Sequence, residues 1–166
     1  MADGAQFSKA KEQAQKELLE VFHITSKMKD SDAVELSEGN DDAAILLAIS
    51  AMLLHNKSEA DFSEFIAKLS NDFAASGEIT NENLLEDIHQ SQRSISASNV
   101  MKNLEEYYKQ QGRDVKVENI KKYIDHNNDG VLDEEDANYD DEPKDNNTSD
   151  IFGTTEEEVQ AVINHI

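Results

Sequence analysis

The sequence predicts an all-α protein, folded as a compact helical bundle or orthogonal array, and three observations predict it. Apolar residues recur at spacings of three and four along most of the first 124 positions. β-Branched alternation never extends beyond a few residues, so strand signals are nearly absent. Ser, Asn and Thr stand where helices should begin, and Gly where two of them should end.

The first helix is expected over residues 5–22, with Phe7, Ala10, Ala14, Leu18, Val21 and Phe22 on one face and Lys, Glu and Gln opposite. After a polar connection Asn40 is the expected N-cap of a second helix, and Asp41 and Asp42 sit favourably against its dipole. The run Ala43-Ala44-Ile45-Leu46-Leu47-Ala48-Ile49 is apolar all round, which places this helix at the centre. Ser58 caps a third helix striped by Phe62, Phe65, Ile66, Leu69 and Phe73, and Gly77 breaks it. Thr80 is expected to cap the fourth, with Leu84, Leu85, Ile88 and Ile95 inward. A fifth helix, 98–111, turns Val100, Met101, Leu104, Tyr107 and Tyr108 to one side and ends at Gly112, the residue type that most easily adopts the left-handed C′ conformation. A short helix from Val117 to Ile124 completes a bundle assigned to residues 1–124.

Composition narrows the function classes. Across 166 residues, 36 Asp and Glu face 15 Lys and Arg, for a formal charge of −21. One domain, or one domain with an appendage, fits that length. So acidic a surface repels phosphate backbones and anionic headgroups, which argues against nucleic-acid partners and leaves divalent cations as the natural counter-charge. No cysteine is present, which removes disulfides, thiolate metal sites and Cys nucleophiles together. The start, Met1-Ala2-Asp3-Gly4, lacks a basic region followed by an apolar one, so the chain reads as cytoplasmic or as an excised piece. The apolar run from Ala43 to Leu54 is far short of the roughly 18–20 residues of a spanning helix, so no direct membrane insertion is expected.

Charge concentrates after Ile124. Residues 125–158 hold fourteen Asp and Glu against one Lys, a net of −13 in about a fifth of the chain. Residues 125–136 read Asp-His-Asn-Asn-Asp-Gly-Val-Leu-Asp-Glu-Glu-Asp, which matches the calcium loop of an EF-hand at nearly every diagnostic place. Asp125, Asn127 and Asp129, at positions 1, 3 and 5, supply hard oxygen donors on one side of a tight turn. Gly130 at position 6 permits the sharp bend, the Val131 carbonyl serves at position 7, and Leu132 at position 8 can plug into the core. Asp133 acts at position 9, directly or through water, and Asp136 at position 12.

Two departures mark the loop. Position 12 is Asp in place of the usual Glu, as in the loops of dockerin modules, so bidentate ligation would use a side chain one methylene shorter. The exit segment 137–142 meets Pro143 after at most about two helical turns. The expected affinity is therefore that of weak or extracellular modules, roughly 10⁻⁵ to 10⁻³ M. The fold class expected is accordingly all-α with a C-terminal EF-hand-like loop. Residues 125–166 form its second part: the loop, an acidic connector over 140–153, and a short helix from Thr155 that docks Val159, Val162, Ile163 and Ile166 on the bundle or, alternatively, begins a helix of a longer parent chain.

A second loop starting at Asp72 keeps Ser76, Gly77 and Ile79 in register but has Ala74 at position 3 and Asn83 at position 12. Lacking two donors, it is expected to be a helix–turn–helix that binds no metal. Catalytic motifs are missing: no His-Glu-x-x-His, no Gly-x-Ser-x-Gly and no phosphate-cradling loop among six glycines. His23, His55, His89, His126 and His165 are scattered, none four residues from another, and read as structural or surface residues. No enzyme is expected.

The segments Phe7 to Ile24, Asn40 to Ser50, and Asn103-Leu-Glu-Glu-Tyr-Tyr-Lys109 resemble a helical region of large uncharacterised surface lipoproteins from gut Bacteroides-type bacteria. There it typically follows a carboxypeptidase-regulatory-like β-domain. The resemblance spans roughly residues 5–124 and implies an exported, cell-envelope location, with no catalytic residue to carry over. The expected function is a non-enzymatic calcium-binding helical module of a longer parent chain, with Ca²⁺ mainly structural and any protein partner unidentified by the sequence. The alternative is a cytoplasmic calcium-responsive regulator that exposes an apolar groove for a partner helix.

Overall fold

A computed structural model describes residues 2–29 and 31–141. The described residues are all-helical and compact, with no strand: α1 (Ala2–Val21), α2 (Asp41–Leu54), α3 (Glu59–Ser76), α4 (Glu82–Ser94), α5 (Ala97–Gln110) and α6 (Glu134–Ala137), with 3₁₀ turns at Ser31–Ala33, Leu36–Glu38 and Ile120–Tyr123. The C-terminal helix expected from Thr155, and the connector beyond Asp141, lie outside the described residues.

Helix α2 is the centre, as its all-round apolarity requires. Ala43, Ala44, Ile45, Leu47, Ala48, Ile49, Ala51 and Met52 are buried. It packs against α4 and against the 3₁₀ turns at Leu36–Glu38 and Ile120–Tyr123. Its first turn is closed by the Asn40 side chain, which accepts from Ala43 N–H. Ser58 starts α3 through a capping box with Asp61, and Gly77 ends it in the left-handed conformation. Gly112 likewise closes α5, with φ 73°.

Four local expectations are corrected. Thr80 does not cap α4. Asn81 does, its side chain accepting from Asn83 and Leu84 N–H, while Asp72 accepts from Thr80 N–H at 2.6 Å and Asn81 N–H at 2.9 Å. The helix expected at Val117–Ile124 is instead an irregular segment running into the Ile120–Tyr123 turn. The reason is local capping: Val117 N–H donates to Glu105 Oε1, and the Asn119 side chain accepts from Lys121 N–H, so the turn starts three residues later. Phe7, expected inward, is 72% exposed. The apolar face of α1 near Phe7 offers only Ala10 and Ala14 as companions, and burial begins at Leu19, Phe22 and Ile24. Asp141, expected in an exposed connector, has a side chain only 3% exposed and pairs with Lys121 at 2.8 Å.

The segment before the candidate loop is anchored by core residues. Ile120 and Ile124 are fully buried, Tyr123 and Val117 nearly so, and Leu132 packs against the same cluster. The loop therefore starts from a fixed floor.

Candidate metal centre

The loop is organised by its own carboxylates. Asp125 Oδ1 accepts from Asp129 N–H at 3.1 Å and Asp125 Oδ2 from Gly130 N–H at 2.9 Å. Asn127 Oδ1 also accepts from Asp129 N–H, and Asp129 Oδ1 from Val131 N–H at 2.8 Å. Asn127 Nδ2 donates to Asp129 Oδ2 at 3.0 Å. These bonds wind residues 125–131 into a tight reversal, which passes through left-handed backbone at Asn128 (φ 58°) and Gly130 (φ 83°). The need for glycine at position 6 is thus met as the sequence pattern requires.

The second half is separate. Asp133 caps the four-residue α6 by accepting from Glu135 N–H at 2.7 Å, and forms a capping box with Asp136. Asp136 Oδ2 accepts from Asp133 N–H at 3.2 Å and its Oδ1 from His126 N–H at 2.9 Å, which ties position 12 back to position 2. Val131, at position 7, is 55% exposed.

Five of the six expected donors therefore fall into two hydrogen-bonded sets, Asp125–Asn127–Asp129 and Asp133–Asp136, and Val131 lies between them. Among the described residues, no three His, Asp or Glu side chains converge closely enough to hold a metal ion. Hydrogen bonds within the loop engage both carboxylate oxygens of Asp125, Asp129 and Asp136 and the Asn127 side-chain oxygen.

Charge is unevenly compensated. Asp125 is fully buried and Asp136 is 1% exposed, yet no described Lys or Arg pairs with either. Burying a carboxylate without a counter-charge costs several kcal/mol unless hydrogen bonds or a cation offset it. The partner from outside the loop is His23, whose Nδ1 stands 3.1 Å from Asp125 Oδ2. The donor set is hard oxygen throughout, the chemistry that Ca²⁺ takes.

Neighbouring groups brace this region. His126 is 3% exposed and stacks on Tyr139, ring centroids 4.3 Å apart and planes 6° from parallel. Burial lowers its pKa. Lys121 donates to Tyr139 O and pairs with Asp141, which accepts from Ser98 N–H and Oγ–H at the start of α5. Burial works against the charge on Asp141, but those bonds outweigh it and hold its pKa below the ordinary value.

A groove of about 510 Å³ between α3 and α4 shares no residue with the loop. Its floor includes His55, 2% exposed, whose Nε2 is 2.9 Å from Ser94 Oγ. Ser94 donates its proton to Gln90 O at 2.7 Å, and burial, helped by the charge of Lys57, pushes His55 down to about 4. So weak a base, beside a hydroxyl whose proton is already used, suits a structural pair better than a nucleophilic one.

Sequence reasoning missed His23 and the Lys121–Asp141 pair. His23 is 102 positions from Asp125, and no spacing rule links them. The chain matches no protein family, no curated protein and no solved structure.

Proposed function

We propose that the protein is a non-enzymatic calcium-binding helical module in which the ion is mainly structural. Asp125, Asn127, Asp129, Asp133, Asp136 and the Val131 carbonyl would hold the ion, and its two positive charges would offset carboxylates that the fold buries. The observation that carries this reading is the pairing of an in-register calcium-loop sequence with two buried carboxylates, Asp125 and Asp136, that pair with no Lys or Arg among the described residues. Loading would require the donors to exchange backbone hydrogen bonds for the ion, which suits a weak site. A cell-envelope setting and a longer parent chain are proposed on the resemblance read from residues 5–124 alone. Among the described residues no helix is long and apolar enough to cross a membrane.

Terbium luminescence sensitised by Tyr123 or Tyr139, competed with Ca²⁺, tests the reading. Wild-type protein should give a calcium-displaceable signal, and Asp125→Ala and Asp129→Ala should each lose it. A signal unchanged in both variants would remove the site.

A further inference from the structure

Among the described residues, the large apolar side chains left exposed are Phe7, Val131 and Tyr139. Tyr139 already stacks on His126, and Val131 lies in the tight reversal of residues 125–131. Phe7 differs from both. It stands on a 20-residue helix, 72% exposed, at the outer end of an apolar stripe. Ala10, Ala14, Leu18 and Val21 continue that stripe at helical spacing, and Leu18 and Val21 pack against the core.

Helix α1 is anchored through its C-terminal half. Gln15 Nε2 donates to Met28 O at 3.2 Å and to Lys29 O at 3.0 Å, and Gln15 Oε1 accepts from Ser31 N–H at 3.3 Å. Leu19 and Phe22 are buried, whereas residues 6–10 are exposed. The stripe therefore runs on for about two turns past the anchored part of the helix. Single apolar residues scattered over a surface need no explanation, but one that extends a core stripe marks a face suited to a partner.

The same chain supplies a matching face. Val159, Val162, Ile163 and Ile166, outside the described residues, recur at spacings of three and four. Val159 to Ile166 and Phe7 to Ala14 each advance about 10 Å along a helix axis. Charge agrees with the match: residues 6–29 hold five Lys against three Glu in a chain of net −21, and Glu156, Glu157 and Glu158 open the C-terminal segment. The connector is also long enough. His23, at the near end of α1, is 3.1 Å from Asp125, and Phe7 stands about 24 Å further up the helix. Fourteen Cα steps from Asp141 to Thr155 span up to about 46–50 Å.

We infer that residues 155–166 cover the Phe7–Ala14 face of α1 as an amphipathic helix.

The full chain has no cysteine, so Gln160→Cys, on the polar side of the segment, accepts a single nitroxide label. In ¹⁵N-labelled protein the amides of residues 6–14 should lose most of their intensity beside the oxidised nitroxide and recover it when the label is reduced. Val162→Asp, or Phe7→Asp on the facing helix, should keep those amides intense, because either change sets a carboxylate into the apolar contact. ¹⁵N-labelled chain without the nitroxide, mixed with unlabelled chain that carries it, should show no loss. Amides of residues 6–14 that stay intense in the labelled chain, or that lose intensity equally in the Val162→Asp and Phe7→Asp variants, would overturn the inference. Loss in the mixed sample would overturn it as well, by making a second copy of the chain the occupant.

Discussion

Two side chains show how burial sets chemistry at the residue scale. His55 is held neutral, its pKa pushed down to about 4 from 6.5. Between those values the unfolded chain binds the proton and the folded one does not, so stability is complete above about pH 6.5 and is lost as pH falls toward 4. The gap sets an upper bound of about 3 kcal/mol. Melting temperature followed from pH 7.5 to 4.5 should fall, and His55→Gln should remove part of that slope. Asp141 acts lower on the scale: its depressed folded pKa contributes stability present above the ordinary carboxylate range and lost as pH drops through the folded value. Asp141→Ala leaves Lys121, 15% exposed, without its carboxylate and strips Ser98 of two acceptors. A loss of about 2–4 kcal/mol is expected in urea unfolding.

Elements meet through a few close approaches. The connection between the first and second helices turns at Gly39, left-handed with φ 58°, where a Cβ would stand 2.4 Å from the Lys116 carbonyl. Neither the backbone conformation nor the space admits a side chain, so Gly39→Ala should destabilise by about 2 kcal/mol or more, while Gly112→Ala, left-handed but with open space around it, should cost about 1 kcal/mol. Chemical denaturation of the pair separates strain from clash. The same scale explains why helix starts were legible for α2 and α3 but not α4. Asn40 and Ser58 cap their own helices, whereas Thr80 is diverted by Asp72, a carboxylate eight residues upstream. Two adjacent residues able to cap cannot be ranked without knowing which one a neighbouring carboxylate occupies.

For the whole molecule, calcium should behave as a stabilising ligand. At about 100 times Kd it adds roughly 2.7 kcal/mol, which for a chain of this size raises the melting temperature by about 5–10 °C. Scanning calorimetry with and without Ca²⁺ measures the shift. A large gain in dye-accessible apolar surface would instead favour a sensor. What the sequence determined by itself is whatever depends on near neighbours: the helical period, the central place of α2, the caps at Asn40 and Ser58, and the glycine at the sixth place of the 125–136 loop. These signals lie within a few residues, where backbone geometry fixes which side chains share a face or a turn. Tertiary structure alone decided that Phe7 lies outside the core, that Asp141 is buried against Lys121, and that His23 reaches Asp125. Each depends on which distant surfaces meet, and periodicity carries no record of that.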